Sequence, residues 1–146
     1  MEYQVLLLLH VLVSILILGG LFMGSLVVIP TAKKTGHSDF AYRYIKSFGK
    51  WTHALLTVQF LTGFRLAMIY VSIGEWFGFG SSLSISVVVK LVLWVALFAW
   101  LIVGKVKGMA DGEKGSIKTA TTYYRIASVL GFLLMIFGLN FKLGLF

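Results

Sequence analysis

Four long apolar stretches alternate with shorter polar ones along the chain. Each stretch is close to or above the ~20 residues that an α-helix needs to cross ~30 Å of hydrocarbon. The apolar runs are continuous rather than alternating, which favours membrane helices over membrane β-strands. The pattern predicts an all-α integral membrane protein with a single transmembrane domain, residues 1–146, and spans over approximately residues 3–29, 50–73, 83–105 and 123–142.

Short connections between the later spans favour an antiparallel, up-down four-helix bundle. The composition, with 59% hydrophobic and 12% charged residues, is that of a membrane protein rather than a water-soluble domain. The chain has no cysteine, which excludes disulfides, thiolate metal sites and cysteine nucleophiles.

Basic residues concentrate in two of the connections and give the chain a formal charge of +8. Five basic residues and one acidic residue follow the first span, and five basic and two acidic residues follow the third. Because cytoplasmic loops carry the excess of Lys and Arg, both basic loops are predicted in the cytoplasm and both termini outside, on the periplasmic side of a bacterial inner membrane. The charge is thereby assigned to topology and to contact with anionic membrane lipid, so no nucleic-acid partner is predicted.

Local signals predict how the first span ends and packs. Pro30 is expected to close it, since proline cannot continue a hydrogen-bonded helix. Residues 31–50 are expected to form a basic loop, in which residues 40–51 have the apolar spacing of a short helix lying along the membrane interface. Gly20 and Gly24 have a G-x-x-x-G spacing, which is typical of close packing within a bundle or of an oligomer face.

Among the basic residues of the predicted spans, His10, Arg65 and Lys90 lie well away from the span ends. Threading the spans places all three roughly 10 Å below the outer surface. A charged side chain inside a membrane costs a few kcal/mol and is treated as part of a site. No Asp or Glu lies within any predicted span, so an anionic ligand between Arg65 and Lys90 is predicted rather than an internal salt bridge.

Haem b accounts for these three residues together. His10 would ligate the haem iron, and Arg65 and Lys90 would pair with the propionates. The second axial position would be open or held by water, Lys90 or Met68. A quinone headgroup or a lipid phosphate would also use histidine and lysine, so these ligands stay open as alternatives.

The remaining polar residues have less specific expectations. His37 is expected to be a solvated loop residue, and His53 to lie at the inner interface, too far from His10 for a bis-histidine haem. Thr62 and Gly63 are expected to give an interhelical hydrogen bond and a close helix contact. Gln59 lies nearer the midplane, where an amide without a partner would be costly.

Short segments in all four spans carry a family resemblance: LLLLHVLVSILILGGLF around His10, the pair Thr62–Gly63, KLVLW beginning at Lys90, and YYRIASVLGFLLMIFGLNFK. Together they resemble the superfamily of HemJ-type protoporphyrinogen oxidases and copper-resistance protein D (CopD). The resemblance implies b-type haem linked to His10, a functional Lys90, and removal of hydrogens from protoporphyrinogen. The R-x-x-N-E-x-P pattern of the last HemJ helix is absent, because IASVL follows Arg125.

Three functional hypotheses follow. The first is a b-type haem protein with a redox or electron-transfer role, acting on a quinone or a porphyrin-type small molecule. The second is a non-haem module that binds or transports an anionic ligand or copper, although the chain lacks the Met- or Cys-rich run of a soft copper site. The third is a structural subunit, in a homo-oligomer or in a larger membrane complex.

Overall fold

The computed structural model describes residues 1–106 and 117–143, with side chains up to residue 104 and from 117 to 139. All secondary structure in these residues is helical, which confirms the all-α class. Most of the predicted second basic loop, residues 107–116, lies outside the described residues. In chain order the elements are α1 (Glu2–Met23), a π-helical segment (Gly24–Val28), α2 (Ile29–Thr35), α3 (Ser38–Tyr70), α4 (Ile73–Trp76), α5 (Ser82–Val106) and α6 (Ile117–Leu143).

Three helical stretches are long and apolar enough to cross a membrane: Glu2–Thr35, Ser82–Gly104 and Ile117–Leu139. Between 17% and 28% of their most apolar windows is buried inside the protein. The outward apolar surface that remains suits contact with lipid chains. The remaining predicted span, residues 50–73, falls mostly in α3, whose first part is more polar, and its passage through the bilayer stays a prediction.

The prediction that Pro30 closes the first helix is wrong. A π-helical turn over Gly24–Val28 precedes the proline, and the Ile29 N–H bonds to the Gly24 carbonyl. Pro30 stands in the first turn of α2, directly after this π-helical turn. The helix continues to Thr35 and ends at Gly36, which takes the left-handed conformation with φ of 74°.

The prediction of a long loop over residues 31–50 is also wrong. Only residues 36–37 separate α2 from α3, and the segment 40–51 is the first part of α3 rather than a separate helix on the membrane surface. Its apolar face is used inside the protein, because Ala41 is buried in one cluster with Val28 and Ala32. The amphipathic pattern therefore reflects packing between two antiparallel helices.

Glycines allow the long helices to approach one another closely. α1 packs along α3 and α6, and α5 packs along α6. A Cβ at Gly20 would lie 1.9 Å from a ring carbon of Phe48, and one at Gly24 would lie 2.4 Å from a ring carbon of Tyr124. The G-x-x-x-G pair thus serves packing within this chain, which confirms the first of the two interpretations of its spacing.

Candidate functional site

His10 lies at the contact between α1 and α3, with both ring nitrogens hydrogen-bonded. Its Nδ1 is 2.9 Å from Oγ1 of Thr62, and its Nε2 is 3.0 Å from Nε2 of Gln59. Gly63 makes room for the ring, since a Cβ there would lie 2.8 Å from Cε1 of His10. The interhelical hydrogen bond of Thr62 and the close contact at Gly63 are thereby confirmed.

The surrounding hydrogen bonds determine which nitrogen of His10 carries the proton. The Thr62 hydroxyl donates to the carbonyl of Val58 at 2.8 Å, so it accepts from Nδ1 of His10. The Gln59 amide nitrogen donates both to Nε2 of His10 and, at 2.6 Å, to Oγ of Ser14. Ser14 in turn donates to the His10 carbonyl at 2.8 Å. This arrangement suits a neutral imidazole with its proton on Nδ1.

Lys90 enters the same region from α5. It is half-buried and close enough to His10 for its charge to act on the imidazole. Gly138 of α6 faces it, and a Cβ at that position would lie 3.9 Å from Nζ of Lys90. The structure therefore brings two of the three predicted site residues, His10 and Lys90, into one neighbourhood.

The side chain of Arg65 does not join His10 and Lys90. Its side chain is 50% exposed and forms a salt bridge with Glu2, with Nη2 2.7 Å and Nε 2.9 Å from the same carboxylate oxygen. The prediction of an anionic ligand rather than an internal salt bridge is thus wrong for Arg65, which pairs with Glu2. Glu2 belongs to the first turn of α1, and the antiparallel packing of α1 and α3 brings the two side chains together. The hydroxyls of Tyr3 and Tyr70 bond to each other at the same end of these helices.

The other candidate residues are also separate from His10. Met68 packs against the cluster of Val71, Trp76 and Val87, beyond the end of the His10 contact. His37 is exposed in the turn between α2 and α3, as predicted. Among the described residues no group of three or more His, Cys, Asp or Glu side chains could hold a metal ion.

The arrangement around His10 does not fit a haem that is ligated through this residue. An iron ligand needs the lone pair of Nε2, and that lone pair accepts the hydrogen bond from Gln59. The Nδ1 side is engaged by Thr62, and the ring lies against Gly63. Arg65, predicted to hold a propionate, is paired with Glu2 instead.

Ser14 is the member of this network that the sequence analysis did not single out. It follows His10 by four residues and therefore lies on the same face of α1. The sequence predicts that the amide of Gln59 needs hydrogen-bond partners, and its nitrogen has two, His10 and Ser14. Its Oε1 is buried, and no described residue donates to it. A single serine in an apolar helix carries no cost that demands a partner, so the sequence holds no signal that marks Ser14.

Comparisons with protein-family models, with curated proteins and with solved structures find no match for this chain. The resemblance to the HemJ and CopD superfamily therefore stays a prediction from the sequence.

Proposed function

We propose that this chain is an integral membrane protein that binds the acidic group of a lipid-soluble small molecule beside Lys90. The observation that carries the proposal is the position of Lys90, a lysine within an apolar helix and next to the neutral hydrogen-bonded network of His10. Ionisable residues within membrane segments are kept for function far more often than for packing.

The chemistry of the ligand follows from two groups beside His10. The Lys90 ammonium is a compact positive charge that pairs with a carboxylate or a phosphate. The buried Oε1 of Gln59 accepts a hydrogen bond, so it suits a hydroxyl or an N–H on the same ligand. Gly138 borders the lysine from α6, since a Cβ there would lie 3.9 Å from Nζ of Lys90. The ligand class is an acid that also carries a hydrogen-bond donor.

The proposed topology is an up-down bundle of four crossing helices, with both termini outside a bacterial inner membrane. Its support is the distribution of charge. The α2–α3 turn is flanked by exposed basic residues, and the connection from α5 to α6 adds further basic residues. Both connections then lie in the cytoplasm, where such residues are enriched. The site beside Lys90 lies in the outer half of the bundle in this arrangement.

Parallel purification of three proteins in mild detergent tests the proposal. The wild type is compared with Lys90→Gln, which removes the charge, and with Lys46→Gln, which removes an exposed charge from α3. Bound small molecules are extracted and identified by negative-ion mass spectrometry. An acidic compound should copurify with the wild type and Lys46→Gln and be lost from Lys90→Gln. Equal recovery from all three proteins contradicts the proposal.

An absorption spectrum of the same samples tests the competing haem hypothesis. The hydrogen bonds of His10 predict that no haem is ligated by this residue. A Soret band with b-type α and β bands that is present in the wild type and absent from His10→Ala would replace the proposal with haem binding at His10.

A further inference from the structure

A small cavity lies where α1, α3, α5 and α6 meet. Along α3 it lies nearer the start of the helix than the contact with His10. Its volume is about 20 Å³, and residues of all four helices line it. The lining is mostly apolar and aromatic and includes Leu21, Leu101 and Tyr124. His53 of α3 is also among the lining residues.

The hydrogen bonds of His53 leave one of its ring nitrogens as an acceptor. Nδ1 is 3.0 Å from the carbonyl oxygen of Gly49, one turn earlier in α3. A carbonyl only accepts hydrogen bonds, so Nδ1 carries the proton and Nε2 carries a lone pair. Nε2 is buried, and no described residue donates a hydrogen bond to it. Buried polar atoms in native proteins are almost always paired with protein or with ordered water.

The cavity and the acceptor together satisfy the requirements of a bound water. A water molecule needs about 10–15 Å³ of accessible space and two to four polar partners, and the cavity of about 20 Å³ offers room for one. Thr52 and Tyr123 line the same cavity. Their hydroxyls donate to the carbonyls of Phe48 and Leu101 and keep lone pairs that can accept.

We propose that this cavity is a hydration site for a single water molecule that donates one hydrogen bond to Nε2 of His53 and the other to a hydroxyl oxygen of the lining. The site is independent of the ligand proposed beside Lys90. It gives the part of the helix packing around His53 a hydrated hydrogen-bond acceptor, while the ring nitrogens of His10 are both hydrogen-bonded to protein groups.

Solid-state NMR of the full-length protein in lipid bilayers tests the hydration site. The protein is labelled with ¹⁵N-histidine and with glycine ¹³C at the carbonyl. The signal of His53 is assigned by the proximity of its Nδ1 to the Gly49 carbonyl, and that of His37 by its loss in His37→Gln. Magnetisation is then transferred from water protons to the imidazole nitrogens.

The three histidines serve as one another's controls. A transfer from water to Nε2 of His53 is expected, together with transfer to the exposed His37 and none to Nε2 of His10, which accepts from Gln59. A His53 signal without transfer from water overturns the proposal. His53→Phe should retain the His10 and His37 signals and lose only the imidazole signal that receives transfer from water, which assigns that signal to His53. Persistence of the signal in a folded His53→Phe protein would show that the transfer belongs to another histidine and would contradict the site.

Discussion

Replacing Gly63 by alanine should destabilise the protein through His10. The new Cβ would lie 2.8 Å from Cε1 of His10 and 3.5 Å from Nδ1, closer than such atoms normally approach. The ring has little freedom to withdraw, since Thr62 and Gln59 hold its two nitrogens. Overpacking of this kind costs about 1–3 kcal/mol. Each interhelical hydrogen bond that breaks as the ring moves adds about 0.6 kcal/mol in a membrane protein.

Gly19→Ala is the matched control, because a Cβ at that position of α1 meets nothing within 4 Å. Both substitutions gain about 1 kcal/mol of helix propensity, so Gly63→Ala should be less stable than Gly19→Ala by about 1–3 kcal/mol. Unfolding by SDS in mixed micelles, followed by tryptophan fluorescence, measures this difference. The stability difference between Gly63→Ala and Gly19→Ala should shrink sharply when both substitutions are made in the His10→Ala background. Equal stability of the two alanine variants in the wild-type background refutes the proposed packing of His10.

Two further substitutions test the packing and the surface pairing. Gly20→Ala should cost more stability than Gly19→Ala in the same unfolding assay, because its Cβ would lie 1.9 Å from the ring of Phe48; a stability equal to that of Gly19→Ala would contradict this contact. Glu2→Gln should lower the free energy of unfolding by at most about 1 kcal/mol, since its salt bridge with Arg65 is exposed, and a loss of several kcal/mol would show that the pair is more central than its exposure indicates.

The helical part of the fold was predictable because hydrocarbon leaves few alternatives. Continuous apolar runs can satisfy their backbone only as helices in a membrane, so the apolar stretches located the long helices. The junctions were less predictable. A proline at residue 30 ends an α-helix in most settings, and the π-helical turn that accommodates it depends on one extra residue in the turn, which no side-chain pattern marks.

The levels of the candidate residues along the helices were predictable from the sequence, but the directions of their side chains only in part. Gly63, two residues before Arg65, contacts His10, so His10 and Arg65 lie at neighbouring levels of α1 and α3, and their depth in the membrane stays a prediction. Which side of α3 faces the interior was harder to predict, because a long cationic side chain can reach outward from an apolar helix. Glu2 stood outside the predicted span, and its pairing with Arg65 depends on how α1 and α3 pack.

Mass spectrometry of the intact protein, released directly from lipid nanodiscs, tests the proposed function most directly. We expect a population with the added mass of one acidic small molecule, present in the wild type and in Lys46→Gln and absent from Lys90→Gln. A wild-type spectrum with no added mass, or an added mass that survives Lys90→Gln, contradicts the binding site beside Lys90.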